Sequence, residues 1–456
     1  MTNPERAQNV TSNLQSDTRV WPLPSRMRQL LGAGCVVVAF CIPLKLSLTY
    51  IALIPLIAIW LISKRWAYHE WIRTSAESSV LVPLVFFLLA STCAAIVGIN
   101  PLHSLSPLSS LIFFSLTIFV FRDFGHSYYV LLALLSGQTL AALHSVLDAA
   151  ARQSVPDIFL GSVTESGQIA LSLLVCIGML WQKYFDAKGR LPPSIPRVAA
   201  ATSGISLMML ACLGFYSTAN LSGVLLIVAW GCGFILLKHL LKNAPRSLPE
   251  ARGILTLSTV FLPLLLCALL VNLKRGPWLG VVIGLAIFCL FYARKLLALI
   301  VLGAVITSVS VPPIRDRLSA SYEHFTISGG RSTIWKIGLE LASKYPLGVG
   351  YHNSGILRNF ALEIPPELKH FHNNLINIAA ESGVLTACIF IWFMYSLVRL
   401  CFRKPLSVLH VAIGCAILSW QTAGLVEYNF GDSEVMLLVW LLLGSLLGDL
   451  RERAVR

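Results

Sequence analysis

Charge is scarce in this chain, and negative charge scarcest. Only 12% of its 456 residues are charged, and 21 Asp and Glu stand against 35 Lys and Arg. No polar stretch is long enough to build a water-soluble core of its own. There is no CxxC, and the eleven cysteines fall in apolar segments or at their margins, which excludes a disulfide framework. A P-loop, a GxSxG elbow and an HExxH helix are all missing, so the common signatures of nucleotide, serine-hydrolase and zinc-protease chemistry are absent. Heptads, low-complexity tails and 20–50-residue repeats are lacking too.

What fills the chain is apolar. Hydrophobic residues make up 56%, and the mean hydropathy is +0.75. Apolar runs near the length that crosses the hydrocarbon core as a helix recur from end to end. They lie near 30–46, 48–63, 79–97, 106–121, 127–146, 166–182, 198–216, 222–240, 253–272, 276–291, 294–310, 374–399, 406–425 and 433–449. The runs 48–63 and 294–310 are short, so 12 to 14 spans are expected in an all-α polytopic membrane protein. The first apolar run lacks a small-residue cleavage site and is expected to remain as the first helix. The expected organisation is a tail over 1–29, helices over 30–311, one long loop over 312–373, helices over 374–449 and a tail over 450–456.

Lys and Arg placement sets the expected orientation. With the N-terminus in the cytoplasm, inner segments hold 24 of the 35 Lys and Arg and outer segments hold 11. Both termini are thus expected inside. Seven of the outer 11 lie in the long loop, and Lys274 and Arg275 adjoin a span. The positive balance follows from topology and calls for no nucleic acid. The polar residues gather at the outer surface, where they suit a lipid-linked anion. A transporter or flippase for such a lipid would instead place polar residues along a mid-membrane path, and the spans hold few besides Glu381.

The loop has its own pattern. Ile334, Ile337 and Leu341 fall at helical spacing, with Trp335, Leu339 and Ala342 beside them, predicting an amphipathic helix over 331–343 on the membrane surface. Trp335 is expected at headgroup level. Pro346, Gly348 and Gly350 end that helix, and a second short helix is expected after Pro365 and Pro366, leading to His370.

Three positions carry candidate chemistry. Arg275, with Lys274 beside it, opens an outer helix, where free N–H groups already favour anions and a guanidinium fork matches two phosphate oxygens. Arg331 follows two glycines that permit close approach to a ligand. His372 sits at the membrane edge and is able to take a proton from a hydroxyl. Asn373 and Asn374 are candidates to orient it or to bind sugar, and His324, His352 and His370 read as solvated. Glu381 lies nine residues beyond His372 on the opposite helix face, too deep to orient it directly. Asp432 and Glu434 are the close acidic pair at the outer start of the last span, able to bind an acceptor or pair with the arginines. No outer DxD exists, so no metal and no cofactor are expected.

At these residues the chain resembles a known family. Arg275-Gly276-Pro277-Trp278-Leu279-Gly280, Gly330-Arg331 with Trp335, Pro346-Leu347-Gly348-Val349-Gly350, and His372-Asn373 with Leu375, Glu381 and Gly383 are similar to the bacterial O-antigen ligase and polymerase superfamily. The resemblance covers residues 213–400 or so. It implies an inner-membrane glycosyltransferase with a periplasmic loop site that takes undecaprenyl diphosphate-linked O-antigen. It also implies that Arg275 and Arg331 hold the diphosphate and that His372 is essential. A ligase would deliver the glycan to lipid A-core oligosaccharide. An O-antigen polymerase or a protein O-oligosaccharyltransferase would use another acceptor. Ser217 to Gly223 is neutral where some members carry a further arginine, which leaves Arg152 as a secondary candidate for a third diphosphate contact.

Overall fold

The computed structural model describes residues 25–64, 75–125, 128–152, 163–187, 203–204, 249–326, 330–359 and 369–455. Among them the protein is all helix and turn, with no strand. The helices are α1 (Ser25–Cys41), α2 (Leu46–Lys64), α3 (Ser75–Val97), α4 (Pro101–Phe124), α5 (Tyr128–Arg152), α6 (Val163–Asp186), α7 (Pro249–Thr256) and α8 (Leu262–Val271). They continue as α9 (Arg275–Tyr292), α10 (Arg294–Ser310), α11 (Pro312–Ser319), α12 (Ser321–Thr326), α13 (Arg331–Lys344), α14 (Asn374–Ser382), α15 (Val384–Cys401), α16 (Val408–Ala423) and α17 (Ser433–Val455). A π-helical turn, Leu257–Phe261, joins α7 to α8 in one span.

Nine helices among the described residues are long and apolar enough to cross a membrane, or ten if the bent pair α10–α11 is one span. This is a multi-pass membrane protein. A further apolar helix among the described residues, α16, runs to 16 residues, and α1 has 17 with a polar start at Ser25 to Gln29. The expected spans 198–216 and 222–240 lie outside the described residues, as do Ser217 to Gly223 and the short helix expected after Pro366. Every other expected span overlaps a helix. One needs correction. The run 374–399 is not one helix but two, broken at Gly383.

The break has a physical cause in the Pro-Leu-Gly-Val-Gly segment. Gly383 has φ +94, and Gly348 and Gly350 have φ +88 and +112, a region that side chains rarely enter. That backbone lets 346–350 lie across the break. Val349 N–H donates to the Ala380 carbonyl (2.9 Å), Gly350 N–H to Glu381 (2.9 Å), and Val384 N–H to Pro346 (3.1 Å). These bonds satisfy the groups that the broken helix frees. Ile99 N–H also donates to the Val349 carbonyl, which ties the end of α3 into the same knot.

Close approach also fixes α9. A Cβ at Gly280 would lie 2.3 Å from the Ser419 carbonyl oxygen, so α9 and α16 touch backbone to backbone there. Trp278 Nε1 donates to the Leu269 carbonyl at 2.7 Å and anchors α9 to α8. Pro277 sits in the first turn, where no helical hydrogen bond is forfeited. The far end of the bundle is closed by charge. Arg122 and Arg451 both meet Asp123 at 3.1 Å, and Trp60 Nε1 donates to the same carboxylate.

Candidate active site

The expected amphipathic helix is present as α13. Its Ile334, Ile337 and Leu341 pack on Val349, Leu357, Phe371 and Ala380, so it lies over α14 and the knot at the helix break. A Cβ at Gly338 would meet the Phe371 ring at 2.9 Å, so glycine there lets α13 sit directly on the segment that carries His372. Trp335 stands edge-on to Phe325 of α12 with 5.3 Å between ring centres.

Three backbone turns converge at the end of the bundle where α9, α13 and α14 begin. Arg331 opens α13 and Arg275 opens α9. Neither helix has a side-chain cap, so both present free N–H groups. A cation at such a terminus is opposed by the helix dipole and gains from a facing anion. The anion in the structure is Glu427, in the turn between α16 and α17. Its Oε1 accepts from Arg331 Nη2, and its Oε2 lies 3.4 Å from His372 Nδ1. The second distance is that of an ion pair, not a well-formed hydrogen bond. A Cβ at Gly276 would lie 3.1 Å from Glu427 Cγ, so this glycine lets the turn pack against the start of α9.

The neighbourhood is strongly electropositive. Lys274, Arg275 and Arg317 share it with Arg331, against the single carboxylate of Glu427. Arg275 Nη1 donates to Ser321 Oγ (2.8 Å) and the Arg317 carbonyl (3.4 Å), and Arg317 Nε donates to the Leu273 carbonyl (3.3 Å). Lys274 is pushed below the usual lysine range by burial and then by Arg317. Burial alone would push the Glu427 carboxyl up. His372 and Arg331 outweigh it and hold Glu427 below the usual carboxylate range, so it is ionised at neutral pH.

His372 is a non-glycine residue at φ +48. This strained conformation is stabilised by what surrounds it. Phe371 N–H donates to Asn377 Oδ1 (3.1 Å) on one side. On the other, Asn373 caps α14, accepting from the N–H groups of Leu375 and Ile376, and donates to the Leu425 carbonyl (2.8 Å). Asn374 Nδ2 donates to Asn429 Oδ1 (2.8 Å), its Oδ1 accepts from Phe430 N–H (3.1 Å), and its own N–H donates to the Gly424 carbonyl (2.7 Å). The two asparagines therefore hold the 424–430 turn, and with it Glu427, beside His372.

Other expected residues fall as follows. Glu381 is buried away from His372 and accepts from Ser354 N–H (3.2 Å) and Ser354 Oγ (2.5 Å). Asp432 bonds to Thr164 at the start of α6 and is raised to about 6, by burial first. The carboxylate that pairs with an arginine is thus Glu427, not Asp432. Arg152 ends α5, and its side chain lies outside the described residues, as does that of His324. His352 is exposed. His370 is not solvated. Its ring stands edge-on to His372 at 4.3 Å and 5.4 Å from Tyr428. Burial, then His372, push it down to about 4, so it is neutral at pH 7. Among the described residues no group of three or more His, Cys, Asp or Glu is arranged to hold a metal. Glu427 is not evident from sequence because its partners are distant: Arg331 is 96 positions away. The available signal was that Glu427 opens a short stretch with three acids, Glu427, Asp432 and Glu434, in a chain poor in negative charge.

A multi-pass helical membrane protein with cations, a histidine and a carboxylate gathered at one end of the bundle is a candidate for chemistry on an anionic, lipid-borne substrate. Residues 260–391 match the family model described as O-antigen ligase (Wzy_C), so over this stretch the chain is similar to the O-antigen ligase family. The match includes Arg275, Arg331 and His372 but ends before Glu427. No curated protein matches the chain.

Proposed function

We propose that this protein is an O-antigen ligase. It transfers a glycan from undecaprenyl diphosphate to lipid A-core oligosaccharide at the periplasmic face of the bacterial inner membrane, with both termini in the cytoplasm. The observation that carries the reading is the meeting of Arg331, at an uncapped helix start, and His372 on one carboxylate beside the uncapped start of α9. Lys274, Arg275, Arg317 and Arg331 outnumber Glu427, and a diphosphate supplies the missing negative charge.

With Nδ1 of His372 turned to Glu427, Nε2 is the nitrogen left for an acceptor hydroxyl. The hydroxyl proton passes to Nε2, and the oxygen forms a bond to the anomeric carbon from the side opposite the diphosphate. The bond from that carbon to the diphosphate oxygen breaks, and its electron pair leaves with undecaprenyl diphosphate. Arg275 and Arg331 stabilise the charge that departs. Direct displacement inverts the anomeric configuration, and no metal takes part.

The test separates binding from transfer in purified, reconstituted protein. Arg275→Ala and Arg331→Ala weaken donor binding and turnover, and the Arg→Lys variants still impair transfer because the fork is lost. His372→Ala leaves donor affinity nearly unchanged and slows transfer roughly 100-fold or more. Activity persists in EDTA. Loss of donor binding in His372→Ala with normal turnover at saturation would remove its role as base. Transfer to a lipid-linked O-unit in place of lipid A-core would make the enzyme a polymerase.

A further inference from the structure

Glu427 serves two groups that have different tasks. One oxygen holds Arg331, and the other faces His372 at 3.4 Å without closing a hydrogen bond. A guanidinium presents the same N–H fork to a carboxylate and to a phosphate, so a donor diphosphate that takes the Arg331 fork in both teeth competes with Glu427 for Nη2. We propose that Glu427 is a positioning residue that donor binding switches from Arg331 to His372. The inference rests on the diphosphate reading of Arg331 given above. Before the donor arrives, Glu427 stands in for its charge. When the diphosphate takes Arg331, the carboxylate is free to close on Nδ1–H, which fixes the ring with Nε2 toward the acceptor. The base is completed only at a loaded site.

The surroundings suit an exchange of partners. Lys274 and Arg275 from the start of α9, His370 beside His372, and Asp432 further along the turn all feel the charge of Glu427. The α9 cations remain when Arg331 leaves, so the carboxylate is never left without positive neighbours. The turn itself is held by Asn373 and Asn374 through bonds that do not use Glu427, so its side chain changes partner without moving the backbone.

The decisive variant is Glu427→Gln, which keeps the shape and removes the charge. Affinity for the diphosphate, measured with undecaprenyl diphosphate as the probe, should hold or rise several-fold because a competitor for Arg331 is gone. Turnover at saturating donor should fall roughly 10- to 100-fold. Combined with His372→Ala, the variant should add little further loss, because the two residues act as one unit. Weaker donor binding with normal turnover at saturation would overturn the switch, as would fully additive losses. A second measurement uses the unmodified enzyme. Initial-rate and product-inhibition patterns should be ordered, with donor first, and random order would also overturn it. Failure of the underlying reading looks different, since Arg331→Ala would then leave donor affinity unchanged.

Discussion

Asn374→Ala tests whether this side chain shapes the site or touches sugar. Asn374 is 1% exposed and makes two side-chain hydrogen bonds to the turn after α16. Alanine leaves Asn429 Oδ1 and Phe430 N–H buried without their partners. Each such group costs about 1–3 kcal/mol, so the sum is on the order of 2–6 kcal/mol. Asn429 cannot simply turn its amide, because its Nδ2 already donates to the Trp420 carbonyl at 3.1 Å. For a chain of this size the loss should lower the melting temperature by about 5 °C, read from tryptophan fluorescence in detergent. Turnover should fall, since the turn carries Glu427, while the KM for the acceptor stays near its normal value. Asn374→Asp should be no better, because it sets a carboxylate oxygen against Asn429 Oδ1. A variant with unchanged melting temperature and a raised acceptor KM would refute the reasoning and return Asn374 to the sugar-binding role.

Two other perturbations follow from geometry and burial. Gly348→Ala would place a Cβ 2.3 Å from the Glu381 carbonyl oxygen at φ +88, so it should destabilise the protein by about 2 kcal/mol or more, whereas Gly303→Ala, with nothing within 4 Å, should be neutral or slightly stabilising in the same melting assay. Asp432→Asn should stabilise the protein at pH 7 on the order of 2 kcal/mol. The native carboxyl is raised to about 6, so its charge opposes folding increasingly from pH 4 to 6 and fully above that, and the gain should vanish in melts below pH 4.

Hydropathy made the spans legible because the bilayer demands long apolar helices of almost any sequence. The same insensitivity hid the break at Gly383. An apolar run of 26 residues, 374–399, reads as one helix unless the partner of the interrupted backbone is known, and that partner is more than 30 positions upstream. The helix over 331–343 was legible from periodicity, and it begins and ends within a residue of that range. Arg275, Arg331 and His372 stood out by residue type against an apolar background. Their relation to one another did not, because Glu427 and the 424–430 turn bring them together through contacts distant in sequence. His370 was misread for the same reason. Its burial comes from Tyr428 and His372, which no local pattern announces.

Position 372 makes incompatible demands on one residue. Its backbone lies at φ +48, a region that glycine enters freely and that histidine, like any residue with a Cβ, enters at a steric cost. Relieving such strain is worth on the order of 1 kcal/mol to the folded chain. Variants enriched for heat resistance alone would therefore drift from histidine toward glycine at this position and, on the reading proposed above, lose transfer as they did so. With His372 as the proposed base, selection for stability and selection for transfer pull position 372 in opposite directions.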